Sequence, residues 1–169
     1  MIFIGIDPGG SGAVAAVDDI GRPYDSGKGW HVKNKSTPHD IASWIRDLNY
    51  ETIDGVRAVI EKVSSMPNQV VSSTFKFGHS AGMLEGFLVS MQISYSLVSP
   101  LKWQKKIGCN WPSSKPKPTQ AEKKNLNKTI AQRKWPDYEL THATADALML
   151  AEYCRLMFLD QRIEPLDSK

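Results

Sequence analysis

The chain reads as an α/β fold, with five strands in a sheet and helices packed on it. Three observations predict this. Short apolar runs recur at 2–7, 12–18, 56–61 and 93–98. Apolar residues at helical spacing lie between and after them. The resulting order is β-β-β-α-β-α-β-α-α-α, strands early and helices late.

Each element follows from its local pattern. MIFIGID at 1–7 is an apolar strand ending in a carboxylate, and PGGS at 8–11 turns it through Gly9 and Gly10 into the strand at 12–18. A third strand is placed at about 27–33. Thr37 before Pro38 supplies an N-cap and then proline at the first helical position. Ile41, Ala42, Ile45 and Leu48 follow at helical spacing, predicting a helix over 38–49. VRAVIE at 56–61 is a buried strand. Residues 72–91 form a helix with Phe77, Ala81, Leu84 and Leu88 as its apolar face. The strand at 93–98 is stopped by Pro100, and 101–107 is a short helix. CNWPSSKPKP at 109–118 has three prolines and no apolar period, so it is a loop. Thr119 caps a basic helix, with Glu122 completing a capping box. The last helix covers about 141–159, with Thr141 as its cap.

A length of 169 residues is most simply one domain, 1–169, with one sizeable core. No run of about 18 apolar residues occurs, so no membrane span is expected. The first apolar stretch has no basic region before it and carries Asp7, which reads as a strand and not a signal peptide. Two cysteines, Cys109 and Cys154, without a CxxC pair, point to a reducing compartment and away from a cysteine zinc site. The expected location is therefore a reducing compartment such as the cytoplasm.

Charge is unevenly spread. Between 102 and 134 stand ten Lys or Arg against Glu122 alone: a local +9 that leaves −6 on the remainder of a chain whose net charge is +3. Such asymmetry points to a polyanion met by one region, or to a solvated helix face beside a loop. The candidate phosphate contacts are Lys102, Lys105, Lys106, Lys115, Lys117, Lys124 and Lys128. Trp111, in the proline loop, is the aromatic placed to stack on a base. Trp103 and Trp135 read as core anchors. Met66–Pro67 reads as a loop entering a helix, or as an apolar wedge for a base step.

Three carboxylates sit in otherwise buried-looking sequence: Asp7 ends the first strand, Glu61 ends VRAVIE, and Asp146 lies within HATADALMLAEY at 142–153. A chance set of strand ends is one reading. A divalent-metal site is the other, because hard oxygen ligands gathered from separate elements suit Mg²⁺. For Glu61 the choice is between a paired or metal-bound carboxylate and one just past the strand end in water. His142 and Asp146, four apart, share one helical face. Gly78, Gly82 and Gly86 leave one helical face nearly bare, for tight packing within the chain or against a second copy.

Taken in order, these pieces resemble the RuvC-type Holliday-junction resolvases of the RNase H-like superfamily, in the compact form carried by phages and organelles. The resemblance rests on GIDPGGSGA at 5–13, Glu61, the glycines at 78–86, SPLKWQKKIG at 99–108, AEKK at 121–124 and HATADALMLAEY at 142–153. It implies an RNase H-like fold with a central mixed five-stranded sheet. It implies a homodimer acting on branched DNA, nicking opposing strands of a four-way junction to leave 5′-phosphate and 3′-hydroxyl ends. No membrane and no small-molecule cofactor are implied. Asp7, Glu61 and Asp146 match the family's metal-binding acids, for two Mg²⁺ about 4 Å apart, with Mn²⁺ as a substitute. No carboxylate stands at the usual fourth position, where His142 is the candidate ligand or proton handler; its spacing to Asp146 is i, i+4 and not i, i+3. Lys123 matches a basic residue near the scissile phosphate. The aromatic wedge found after the glutamate in bacterial relatives is replaced by Val63, Ser64, Ser65 and Met66. Two further readings stay open: a nuclease for flaps, branches or RNA–DNA hybrids, and a junction binder that does not cut.

Overall fold

The computed structural model describes residues 1–9, 11–25, 29, 31–33, 38–48, 55–62, 70–114 and 116–163. Ten elements follow in the expected order: β1 (Ile2–Asp7), β2 (Ala13–Val17), β3 (His31–Lys33), α1 (Pro38–Arg46), β4 (Val56–Glu61), α2 (Val71–Ser90), β5 (Ser94–Val98), α3 (Pro100–Lys106), α4 (Gln120–Lys134) and α5 (His142–Ile163). The sheet order is β3-β2-β1-β4-β5. β1 pairs antiparallel with β2, and β2 with β3, while β1–β4 and β4–β5 are parallel. The sheet is therefore mixed and five-stranded.

Both faces of the sheet are covered, which is why β1 and β2 are buried almost end to end. Ile2, Ile4 and Ile6 alternate onto one face, where they pack with Ile41, Ile45 and Leu48 of the α1 region and Leu84 and Leu88 of α2. Phe3, Val59 and Val98 face the other side, against Trp103, Ala131, Trp135 and the Ala- and Leu-rich stretch of α5. Gly5 belongs to this second face. A Cβ there would stand 2.1 Å from the carbonyl oxygen of Ala147 and 2.2 Å from the amide nitrogen of Ala151. The backbone of α5 thus lies directly on β1.

Helix ends follow their side chains. Thr119 accepts from the Glu122 amide at 3.2 Å, and the Glu122 carboxylate accepts from the Thr119 amide at 2.8 Å. Thr141 accepts from the Thr144 amide at 3.2 Å, as a cap of α5 should. Beneath α5, buried Glu152 pairs with Arg155 at 2.7 Å and Lys134 at 3.0 Å.

Three points were left open, misplaced or unmarked by the sequence. The glycine face of α2 meets no other part of the chain among the described residues: Cβ atoms at Gly78, Gly82 and Gly86 would find nothing within 4 Å there. Helix α5 continues to Ile163, past the expected end near 159. Trp44, unremarked in the sequence, is 3 % exposed and donates to the Gly29 carbonyl at 2.8 Å. Thr37, Met66, Pro67 and Lys115 lie outside the described residues. Cys109 and Cys154 are buried free thiols, each pushed up to about 12 by burial. No helix among the described residues is long and apolar enough to cross a membrane.

Candidate active site

The register of the parallel strands places two carboxylates side by side. Gly5 lies opposite Val59 and Ile6 opposite Ile60, so Asp7 and Glu61 end neighbouring strands on the face that carries α5. Neighbouring strands lie about 4.8 Å apart. On α5, Asp146 immediately precedes Ala147, the residue whose carbonyl rests on Gly5. Helix contact with β1 therefore delivers Asp146 to the end of the strand that bears Asp7.

Asp7, Glu61 and Asp146 line one cleft of about 470 Å³. Pro8, Gly9 and Ser11 of the β1–β2 turn form part of its wall. Gly9 has φ of +113°, a left-handed conformation open to glycine, and its missing Cβ makes room for the Phe77 ring. Ser73, Lys76 and Phe77 of α2 and Lys124 of α4 complete the lining.

Neighbours hold two of the acids in place. The Trp103 indole donates to Glu61 Oε2 at 2.6 Å, and the Asn127 amide donates to Asp146 Oδ1 at 2.9 Å. The second oxygen of each of these two carboxylates has no hydrogen-bond partner among the described residues. All three acids have their pKa raised. For Asp7 the causes are burial, then the charges of Asp146 and Glu61. For Glu61 burial outweighs the Trp103 hydrogen bond, and for Asp146 it outweighs the bond from Asn127. Lys124 pulls all three back down.

This donor set fits a hard divalent cation. Three desolvated carboxylates that repel one another, opposed by the one ammonium acting on all of them, leave negative charge to be neutralised. Free carboxylate oxygens on Glu61 and Asp146 are hard ligands suited to Mg²⁺. As they stand, no group of three or more His, Cys, Asp or Glu side chains among the described residues is close enough together to hold a metal ion, so the three acids would have to draw in around one.

Other candidates fall elsewhere. Lys123 lines a separate groove of about 280 Å³ with Lys105, Trp111 and Cys109. Its neighbour Lys124 takes the place at the acids. The reason is helical phase: Lys124 stands about 100° from Lys123 on α4, and Asn127 lies between them, lining the Lys123 groove while its amide reaches Asp146. His142 is exposed and its Nε2 meets Asn125 Oδ1 at 2.9 Å, tying α5 to α4; its charge reaches Asp146 but it does not line the cleft. Lys102, Lys105 and Lys106 border a shallow apolar groove with Tyr153 and Met157. Met157 is eleven residues beyond Asp146, about 16 Å along the helix. Lys106 is paired with Asp160 and Lys134 with Glu152. Lys117 is exposed and Lys128 half-buried. Trp111 donates its indole N–H to the Pro116 carbonyl at 2.8 Å. The basic segment is thus divided among several surfaces. Trp103 and Trp135 are core anchors, as expected, at 1 % and 4 % exposure.

Sequence reasoning missed Ser73, Lys76 and Phe77 as cleft residues, and Asn127 and Trp103 as the partners of Asp146 and Glu61. Lys124 stood only among the basic residues expected to meet DNA. Nothing local marked the others.

No protein-family model and no curated protein sequence matches the chain. Solved structures do match in fold. Thermus thermophilus RuvC in complex with a Holliday junction substrate aligns with a TM-score of 0.59 and 13 % identity, covering 96 % of this chain and 97 % of that one. A second Thermus thermophilus RuvC structure aligns with a TM-score of 0.56 and 16 % identity, covering 96 % of each chain. The chain has the RuvC-type RNase H-like fold.

Proposed function

We propose that this protein is a structure-selective endonuclease that resolves four-way DNA junctions by paired nicks, with Asp7, Glu61 and Asp146 holding two Mg²⁺ ions. The observation that carries the proposal is the meeting of these three half-buried carboxylates in one cleft. The fold neighbour in complex with a Holliday junction supports the choice of substrate.

Asp7 feels the charges of both other acids, so it is the natural shared ligand. Trp103 and Asn127 orient Glu61 and Asp146, the supporting role that outer-shell donors play at metal sites. When bound, Mg²⁺ supplies an acidified water and Lewis-acid polarisation of the phosphate. Lys124 keeps the cleft from repelling DNA and faces the phosphate charge that grows during attack. A water oxygen bonds to phosphorus as the phosphorus–O3′ bond breaks. One water is consumed, leaving a 5′-phosphate and a 3′-hydroxyl. His142, at the rim, keeps α4 and α5 in register and biases Asp146 towards its ionised form.

Paired nicks need two sites, hence a homodimer. The outer face of α2 supports one: Val71 is 84 % exposed, Phe75 74 % and Val89 62 %, in line with the bare Gly78, Gly82 and Gly86. An apolar, small-residue stripe of this kind suits close helix contact with a second copy. The buried free cysteines suit a reducing compartment, such as the cytoplasm or an organelle matrix.

The test is cleavage of a mobile four-way junction with Mg²⁺ and with EDTA, beside a flap and a linear duplex. Metal-dependent paired nicks confined to the junction are expected. Faster cutting of flaps or hybrids would make it a general branch nuclease, and binding without cutting would make it a structural binder.

A further inference from the structure

We propose that Lys76 and Phe77 of α2 form a nucleotide subsite beside the carboxylates, which binds the backbone phosphate and sugar flanking the cleaved position. The inference rests on the nuclease reading and extends it to how the strand is held.

Helical phase brings these residues to the cleft. Ser73, Lys76 and Phe77 stand at i, i+3 and i+4, hence on one face of α2, and all three line the cleft. The same face continues inward as Ala81, Leu84 and Leu88, which are buried. Phe77 is the point where that apolar stripe leaves the core and enters the cleft. Its ring rests on the Gly9 turn, so it is a fixed wall beside Asp7.

Lys76 differs from Lys124 in what it faces. Lys124 acts on all three carboxylates, whereas Lys76 is not among the main charges felt by any of them. Among the described residues Lys76 also has no carboxylate partner. An ammonium that borders an acidic cleft without pairing to its acids is available to an anion entering there. The two lysines come from opposite layers: α4 packs on one face of the sheet and α2 on the other. A DNA strand crossing the sheet end therefore meets Lys124, then the acids, then Lys76. An exposed lysine contacting one phosphate contributes one unit of counterion release.

The experiment measures binding of a four-way junction in EDTA, as a salt titration, for the wild type, Lys76→Ala and Lys76→Arg. The junction carries single neutral methylphosphonates scanned across the positions near the crossover. Lys76→Ala should weaken binding about five- to tenfold at low salt and lower the salt slope by about 1. It should also abolish the wild type's sensitivity to the methylphosphonate at one position, and Lys76→Arg should restore it. Phe77→Leu, which keeps an apolar wall, should raise KM more than it lowers kcat. If Lys76→Ala keeps the wild-type slope and the full scan profile, the subsite is wrong, whether or not the wild type cuts. If the scan gives the expected pattern but Mg²⁺ yields no nicks, the subsite stands and the nuclease reading fails.

Discussion

Gly5 and Ala147 are in backbone contact: the carbonyl of Ala147 occupies the space where any side chain at position 5 would begin, 2.1 Å from an ideal Cβ. Because Asp146 is the next residue towards the helix start, this contact sets the height of the third carboxylate against Asp7. The glycine in the middle of β1 is thus a positioning device for a residue 141 positions later. Gly5→Ala must push α5 off the sheet, since backbone and not a flexible side chain fills the site. It should destabilise the protein by about 3 kcal/mol or more, beyond ordinary overpacking. For a chain this long that lowers the melting temperature by roughly 6–12 °C. Thermal unfolding checks it, and junction cleavage should fall with the displaced Asp146.

The carboxylate cluster works against folding in the metal-free protein. Asp7, Glu61 and Asp146 all have raised pKa values in the folded chain, chiefly from burial. An acid with a raised folded pKa binds more protons folded than unfolded between its two values. Stability therefore falls as pH rises from the ordinary carboxylate range through the raised values. Asp7→Asn should be more stable than the wild type at pH 7 and flatten this dependence, while losing at least about a thousandfold in cleavage. Mg²⁺ should stabilise the wild type at pH 7 and leave Asp7→Asn nearly unmoved, because an ion that binds the native state raises its melting temperature. Melting curves from pH 4 to 8, with and without Mg²⁺, read both effects.

Adjacent lysines should behave unequally. Lys124→Ala removes the cation that lowers all three acids, so their pKa values should climb and cleavage should fall by about ten- to a hundredfold. Lys123→Ala, facing the Trp111 groove, should cost less than about threefold. Equal losses would mean that α4 is turned differently when DNA is bound.

Glu152 makes the opposite pH prediction. Burial pushes its carboxyl up, but the hydrogen bonds from Arg155 and Lys134 outweigh burial and leave it below its usual value. Its contribution to stability is present above the unfolded carboxylate range and is lost as pH falls through the folded value. Glu152→Gln should cost about 3 kcal/mol at pH 7, because it leaves two cations without their shared acid. The deficit should shrink on acidification, as chemical denaturation at pH 7 and pH 3.5 would show. Cleavage per folded molecule should be unchanged.

The order of elements was legible because each signal is local. Ile2–Asp7 and Val56–Glu61 are short apolar runs ended by an acid, and Thr119 with Glu122 writes a capping box into four consecutive residues. The three acids were legible for the same reason: a carboxylate inside apolar sequence stands out without knowledge of its neighbours. Lys124 was legible only as one of ten basic residues, since choosing it over Lys123 needs the face that α4 turns to α5. The glycines of α2 announced close approach but not its partner, and the fold turns them outward.

Residue type, period and spacing along the chain therefore settle which segments are strands and helices, and which acids need explaining. They settle it because backbone preference and amphipathic pattern act over a few residues. Parallel pairing of β1 with β4, the contact of Gly5 with Ala147, and the meeting of Trp103 with Glu61 across 42 residues of chain depend on long-range packing. No local pattern encodes these, because each is a compromise among two packed sheet faces, one helix axis and the burial of charge.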